Sequence, residues 1–145
     1  MKEEQVLKII ILGSSEVGKT CILHRYFNNE FKENLLSTIG IDINTKFFKF
    51  NEEKVKINIW DTAGQEKFRS LAKIFYKDAK IIILVYDIIS KKNFTELKDY
   101  WYEQQTKLNV DCDPIFAVVA NKSDLYGQQQ VSDEEGKKFA QSINA

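Results

Sequence analysis

Proline is almost missing from this chain: Pro114 is the only one in 145 residues. With six glycines and no internal repeat or low-complexity stretch, nothing marks a linker, and one domain is expected rather than two. The two cysteines, Cys21 and Cys112, have no metal-ligand spacing and cannot build a disulfide framework. A reduced cytosolic chain is the default expectation. Charge of one sign is lacking as well. Twenty-one Lys and Arg face 21 Asp and Glu, so no basic excess points to nucleic acid. The apolar run 81–86 is far too short to cross a bilayer. Residues 1–5 (MKEEQ) hold two acidic side chains and no apolar stretch, which predicts no signal peptide, and Lys2 excludes N-myristoylation. The lone histidine, His24, has no evident partner and reads as structural or surface.

What is present is 43% hydrophobic and 29% charged, a mixture that supports a real core. Residues 7–12 (LKIIIL) form an apolar run ending at Gly13 and read as a buried strand. Residues 19–28 then carry Ile22, Leu23, Tyr26 and Phe27 on one side of a helix. Residues 29–40 show no period and read as a loop. Ile41, Ile43, Thr45 and Phe47 alternate with polar residues, as do Val55, Ile57 and Ile59, and residues 51–53 (NEE) supply a hairpin turn. These two strands should be antiparallel neighbours, with Phe47, Phe48 and Phe50 mostly in sheet packing.

Strand–helix alternation follows. Residues 81–86 (IIILVY) and 115–120 (IFAVVA) are continuous apolar runs, expected of parallel strands covered on both faces. Between them Phe94, Leu97, Trp101 and Leu108 fit one helix stripe. Ser132 and Glu135 have capping-box spacing and open a helix carrying Phe139, Ala140 and Ile143. The sum is an α/β, doubly wound domain with a mostly parallel sheet and one antiparallel strand. Ligands in such sheets bind beyond the carboxyl ends of the strands.

Four motifs fall at those ends. Gly13-Ser14-Ser15-Glu16-Val17-Gly18-Lys19-Thr20 matches G-x-x-x-x-G-K-[ST] between a predicted strand and a predicted helix. The pattern arises by chance in roughly one chain of this size in a few hundred. Its glycines let the backbone curl so that N–H groups converge on phosphate. Lys19 should reach the β and γ phosphates, and Thr20 should offer its hydroxyl to Mg²⁺. The nucleotide-binding set is expected to run on to Cys21, itself a small buried side chain. Asp61 ends a predicted strand as a hard oxygen ligand for Mg²⁺. In the segment that follows, Gly64 can give its N–H to the γ-phosphate and Gln65 can orient the attacking water. Asn121-Lys122-Ser123-Asp124 follows another strand. A carboxylate at Asp124 accepts both N1–H and the 2-amino group of guanine, whereas adenine would leave it facing a lone pair. Asn121 can tie this loop to the phosphate loop, and the stem of Lys122 can lie across the base. Thr38, in the loop 29–40, can close the Mg²⁺ coordination.

With these motifs in one order, the chain resembles a Ras-superfamily small GTPase, and specifically the Rab family. The likeness covers essentially all 145 residues and includes Ile39-Gly40-Ile41-Asp42, residues 59–69 (IWDTAGQEKFR), Phe75-Tyr76 and Leu84-Val85-Tyr86-Asp87. It implies that Phe31 stacks on guanine and that residues 29–40 and 64–77 are the switch loops. It also implies that Ile43, Trp60 and Phe75 form an exposed apolar triad read by effectors, beside an exchange factor and a GTPase-activating protein. Catalysis would rest on Gln65 and Lys19. The expected setting is the cytoplasm and the cytosolic face of endomembranes, with vesicle transport as the expected process.

Three departures stand out. Leu35 replaces a tyrosine usual three residues before the Mg²⁺ threonine. Glu16 puts a carboxylate in the phosphate loop, where charge near phosphate lowers affinity unless the side chain faces solvent. Relatives also continue past residue 145 with a strand, a guanine-contacting loop, a long helix and a prenylated cysteine tail. The expected domain is therefore a G domain over 1–145, shortened at its C-terminus, touching membrane only through a tail outside these residues. The strand 115–120 would then lie at a sheet edge. Two further readings stand beside the GTPase: a binding module that has lost the switch, and a P-loop ATPase or kinase, against which Asp124 argues.

Overall fold

A computed structural model describes residues 5–33, 35, 40–62, 72–109 and 111–145. Within them a five-stranded sheet is ordered β2-β3-β1-β4-β5, with β1 Gln5–Leu12, β2 Ile41–Phe50, β3 Glu53–Thr62, β4 Ile81–Asp87 and β5 Ile115–Asn121. Only β2 runs antiparallel to its neighbour; β3, β1, β4 and β5 are parallel. The helices are α1 Lys19–Asn28, α2 Ala72–Tyr76, α3 Lys91–Glu96, α4 Glu103–Leu108 and α5 Asp133–Ser142.

β1 over its last four residues and β4 over Ile81–Tyr86 are apolar because both of their faces are covered. On β1, Ile10 and Leu12 enter one core with Ile82, Leu84 and Tyr86 of β4, under Phe94, Leu97, Trp101 and Phe139. Ile9 and Ile11 point the other way, into a second core with Val17, Leu23, Ile59 and Val85. This is the period-2 alternation of a strand between two helical layers. Each fully buried aliphatic or aromatic side chain contributes roughly 1.5–3 kcal/mol, so the two cores fix the central strands, and with them the loops at their carboxyl ends.

α1 has the expected bounds, and α5 opens on the expected capping box, with Ser132 accepting from the Glu135 N–H and Glu135 from the Ser132 N–H. β5 lies at a sheet edge, as expected, with Ile115 68% exposed. Elsewhere the sequence expectations need correction. β1 begins at Gln5, two residues early, and the hairpin turn is only Asn51 and Glu52, both at positive φ. The helix expected through Phe94, Leu97, Trp101 and Leu108 is not uniform: Leu97–Tyr102 is a π-turn between α3 and α4. Leu97 and Trp101, four residues apart, both stay on the buried face.

Phe47, Phe48 and Phe50 are 48%, 38% and 69% exposed, not packed in the sheet. Their strand is an edge, and lysines cover the rings instead: Lys54 Nζ lies 4.2 Å from the Phe47 centroid. Cys21 is half-buried rather than buried, and both cysteines are free thiols. His24 does have a partner, its Nδ1 lying 3.0 Å from the carbonyl oxygen of Glu30.

Candidate functional site

The carboxyl ends of β1, β3, β4 and β5 put Gly13, Asp61, Asp87 and Asn121 along one edge of the sheet, through the pairings Ile11 with Asp61 and Asp87 with Asn121. The phosphate-loop motif leaves β1 at the centre of that edge and runs into α1. Two of its glycines are required sterically. A Cβ on Gly13, at φ +154°, would lie 2.2 Å from the carbonyl oxygen of Val85; one on Gly18, at φ +98°, would lie 2.3 Å from Nδ2 of Asn121. Val17 anchors the loop in the second core at 0% exposure. Glu16, at φ +66°, is exposed, so its charge faces solvent.

Gly18 caps α1 without a side-chain hydrogen bond. The first-turn N–H groups of α1 therefore face the loop with no side-chain acceptor from their cap, the arrangement that suits an anion. Lys19 is buried, and its Nζ donates to the carbonyls of Gly13 and Ser14, each at 2.8 Å. Burial lowers its pKa to about 8, against the opposing pull of Asp61. The ammonium is thus still mainly charged at neutral pH, seated in the loop between two carbonyls.

Thr20 Oγ1 donates to Oδ2 of Asp61 at 2.7 Å, and Asp61 is 2% exposed. A hydroxyl and a carboxylate side by side, next to a lysine in an anion loop, are hard oxygen donors suited to Mg²⁺. That ion takes few protein ligands and completes its shell with phosphate and water. No cluster of three or more His, Cys, Asp or Glu occurs among the described residues.

The segment Asn121-Lys122-Ser123-Asp124 joins this loop directly. Asn121 Nδ2 donates to the carbonyl of Val17 at 2.8 Å, the tether expected from the sequence. Lys122 takes a left-handed conformation at φ +62°, and its Nζ reaches Oδ2 of Asp87 at 3.2 Å. Asp124 is exposed at the start of the 3₁₀ turn Ser123–Gln128. Phe31 is 65% exposed.

The structure therefore gathers Gly13 to Thr20, Asp61, Asn121 and Lys122. Thr38, Gly64 and Gln65 lie outside the described residues. The expected exposed triad is corrected. Ile43 is 48% exposed and Trp60 half-buried, but Phe75 is only 6% exposed. Beside it, Lys8 Nζ donates to the carbonyls of Ile74 and Lys77 at 2.9 Å each while lying 3.9 Å over the Trp60 ring. α2 turns Ile74 outward, at 56% exposure.

Sequence reasoning missed Asp87 and Asn93 as partners of the site. Asp87 is 3% exposed and its Oδ2 accepts from Lys122 and, at 3.3 Å, from Asn93 Nδ2. The available signal was positional, since Asp87 ends an apolar strand as Asp61 does.

The Ras family model matches residues 8–145. The Ras-related protein RabC of Dictyostelium discoideum is 39% identical over 145 residues, 99% of this chain and 73% of that protein. The Ras-related proteins Rab-8B of Homo sapiens and Rab-8A of Mus musculus are 37% and 36% identical over 137 residues, 94% of this chain. The chain spans 65% of the length of each of those two.

Proposed function

The chain belongs to the Ras family of small GTPases, in its Rab branch, and from that premise we propose that residues 1–145 form one G domain. It works as a guanine-nucleotide switch that binds GTP and GDP with Mg²⁺ and hydrolyses GTP. The observation that carries this reading is the bond from Asn121 to the Val17 carbonyl. It makes one continuous site of a loop suited to phosphate and a segment suited to guanine.

In this reading residues 13–21 hold the phosphates, with Lys19 on the β and γ groups. Thr20, Thr38 and Asp61 hold Mg²⁺, which when bound neutralises charge on the phosphate oxygens. Asp124 accepts from N1–H and the 2-amino group of guanine, Phe31 covers the ring, and the stem of Lys122 lies across it. Asp87 and Asn93 orient that lysine through its ammonium.

Gln65 orients a water for in-line attack on the γ-phosphorus, and the Gly64 N–H donates to the γ-phosphate. A bond from water oxygen to phosphorus forms, the bond to the β-phosphate oxygen breaks, and GDP and phosphate leave. The Lys19 ammonium opposes the negative charge that accumulates on the bridging oxygen. The only arginines are Arg25 and Arg69, neither in the phosphate loop nor in 29–40. Unaided turnover is therefore slow, and a partner's arginine adds a factor of roughly 10³–10⁵.

The γ-phosphate orders 29–40 and 64–77, and its loss releases them. An exchange factor, a GTPase-activating protein and effectors act on those segments and on the surface of Ile43 and Trp60, flanked by Ile74. Rab kinship supports a role in vesicle traffic on the cytosolic face of endomembranes, reached through a lipidated tail outside these residues. No helix among the described residues is long and apolar enough to cross a membrane. Single-turnover phosphate release from a preloaded GTP complex, started with Mg²⁺, tests the reading. Slow release of one phosphate per chain supports it; tight GTP binding with no release refutes hydrolysis, and no binding leaves a module that keeps only its interaction surface.

A further inference from the structure

Ser14 stands one residue into the phosphate loop and is 6% exposed. Its hydroxyl is engaged by the helical stretch that follows β4. Ser14 Oγ donates to Oε2 of Glu96, the last residue of α3. The same oxygen accepts the indole Nε1–H of Trp101, 3.4 Å away in the π-turn. The carbonyl of Ser14 in turn accepts Nζ of Lys19 at 2.8 Å. One residue thus links α3 and the π-turn to the lysine that faces the phosphates.

A serine hydroxyl has one proton to give and lone pairs to accept with. Here the proton goes to a carboxylate and a lone pair takes an indole N–H, so the rotor is fixed from two sides. A hydrogen bond to an ionised acceptor is about twice as strong as a neutral one. The loop so held is a tightly curled segment with positive φ at Gly13, Glu16 and Gly18. Without restraint, such a segment would have to be ordered by its ligand, and that ordering weakens binding. Lys92 lies 3.8 Å from Oε1 of Glu96, leaving Oε2 to Ser14.

We propose that Glu96 is a positioning residue for the phosphate loop, acting through the Ser14 hydroxyl to hold the carbonyl that seats Lys19, with Trp101 as the second restraint. The inference rests on reading this loop as the nucleotide site. Glu96 does not touch the nucleotide; it pre-forms the loop that does. The consequence is kinetic: a loosened loop releases GDP faster.

The experiment compares wild type, Glu96→Ala, Glu96→Gln, Ser14→Ala and the Ser14→Ala/Glu96→Ala double variant. It reads the release rate of a fluorescent GDP and the amide exchange of residues 14–19 in the nucleotide-free chain. Glu96→Ala and Ser14→Ala should each speed release about tenfold, the cost expected of a hydrogen bond to a charged group. The double variant should be no faster than Ser14→Ala, because that change already removes the link to Glu96. Glu96→Gln, which keeps an acceptor, should restore release to within about twofold of wild type. Exchange in 14–19 should quicken in Glu96→Ala and not in Glu96→Gln. Unchanged release in Glu96→Ala, additive rates in the double variant, or no rescue by glutamine would overturn the proposal. So would exchange that quickens equally throughout β4, the mark of a merely structural role. If wild type binds no guanine nucleotide, the functional reading has failed, and the exchange pattern alone decides for or against Glu96.

Discussion

Asn121 donates its side-chain amide to the Val17 carbonyl, 2.8 Å away and 104 residues earlier in the chain. Val17 is buried in the core beneath α1, so the bond fastens the end of β5 to the loop that follows β1. Gly18 has room for no side chain there, because a Cβ would meet that amide at 2.3 Å. Asn121→Ala should weaken GDP and GTP binding together by about tenfold, the order of one lost hydrogen bond of about 1–1.5 kcal/mol. Nucleotide affinities by titration calorimetry check this. An effect on one nucleotide alone would mean that Asn121 does not act through the shared loop.

The pair of Thr20 and Asp61 carries the second prediction. Their 2.7 Å contact puts a compact hydroxyl against a buried carboxylate. Thr20→Asn replaces it with a larger amide, and should weaken Mg²⁺–GTP more than GDP, which depends less on metal coordination. Affinities for both nucleotides at fixed Mg²⁺ give the comparison. Equal loss of the two argues against a direct ligand.

Gln65 lies outside the described residues, and its role rests on the motif that follows Asp61. Gln65→Leu should remove most hydrolysis while leaving GTP affinity nearly intact, since the amide acts on water and not on the nucleotide. Single-turnover phosphate release is the measurement. An unchanged rate would remove Gln65 from the mechanism.

Glu135 supplies a pH dependence away from the site. Its contact with Lys91, together with the bonds from Ser132, holds its pKa down at about 2, below the ordinary 4.5. A carboxylate with a lowered folded pKa adds stability fully above the unfolded value and loses it as pH falls through the folded one. The pair is solvent-exposed and screened, so Glu135→Gln should melt only slightly below wild type at neutral pH, by a margin that shrinks as salt is added. The gap should stay constant down to about pH 5 and close progressively between 4.5 and 2. Thermal melts across that range decide it; a gap that persists at pH 2 would assign the effect to packing.

Much of this was legible from the sequence because the chemistry is written in contiguous residues. Gly13 to Thr20 is one turn between a strand and a helix, and strand periodicity places Asp61 and Asn121 at strand ends without knowledge of the partners. What was not legible depends on neighbours. Phe47, Phe48 and Phe50 look like sheet packing until the strand order leaves β2 at an edge. Phe75 looks exposed until the packing of α2 turns it inward and Ile74 outward. The π-turn at Leu97–Tyr102 leaves the apolar spacing of Phe94, Leu97 and Trp101 intact, so no period reveals it. Asp87 meets Lys122 only because β4 and β5 pair in register, and Ser14 meets Glu96 only through the packing of α3 on the sheet.

In the proposed reading the chain recognises guanine through Asp124, an exposed carboxylate beside the tethered Asn121. A carboxylate matches two donors on guanine and none on adenine, which would leave it unpaired and facing a lone pair. The most direct measurement is competition of GTP, ATP and xanthosine triphosphate for the wild-type chain and for Asp124→Asn, with Mg²⁺ present. GTP should displace a labelled guanine nucleotide from wild type at concentrations where ATP does not, and Asp124→Asn should shift the preference to the xanthine nucleotide. Equal competition by ATP and GTP for the wild-type chain would contradict the account.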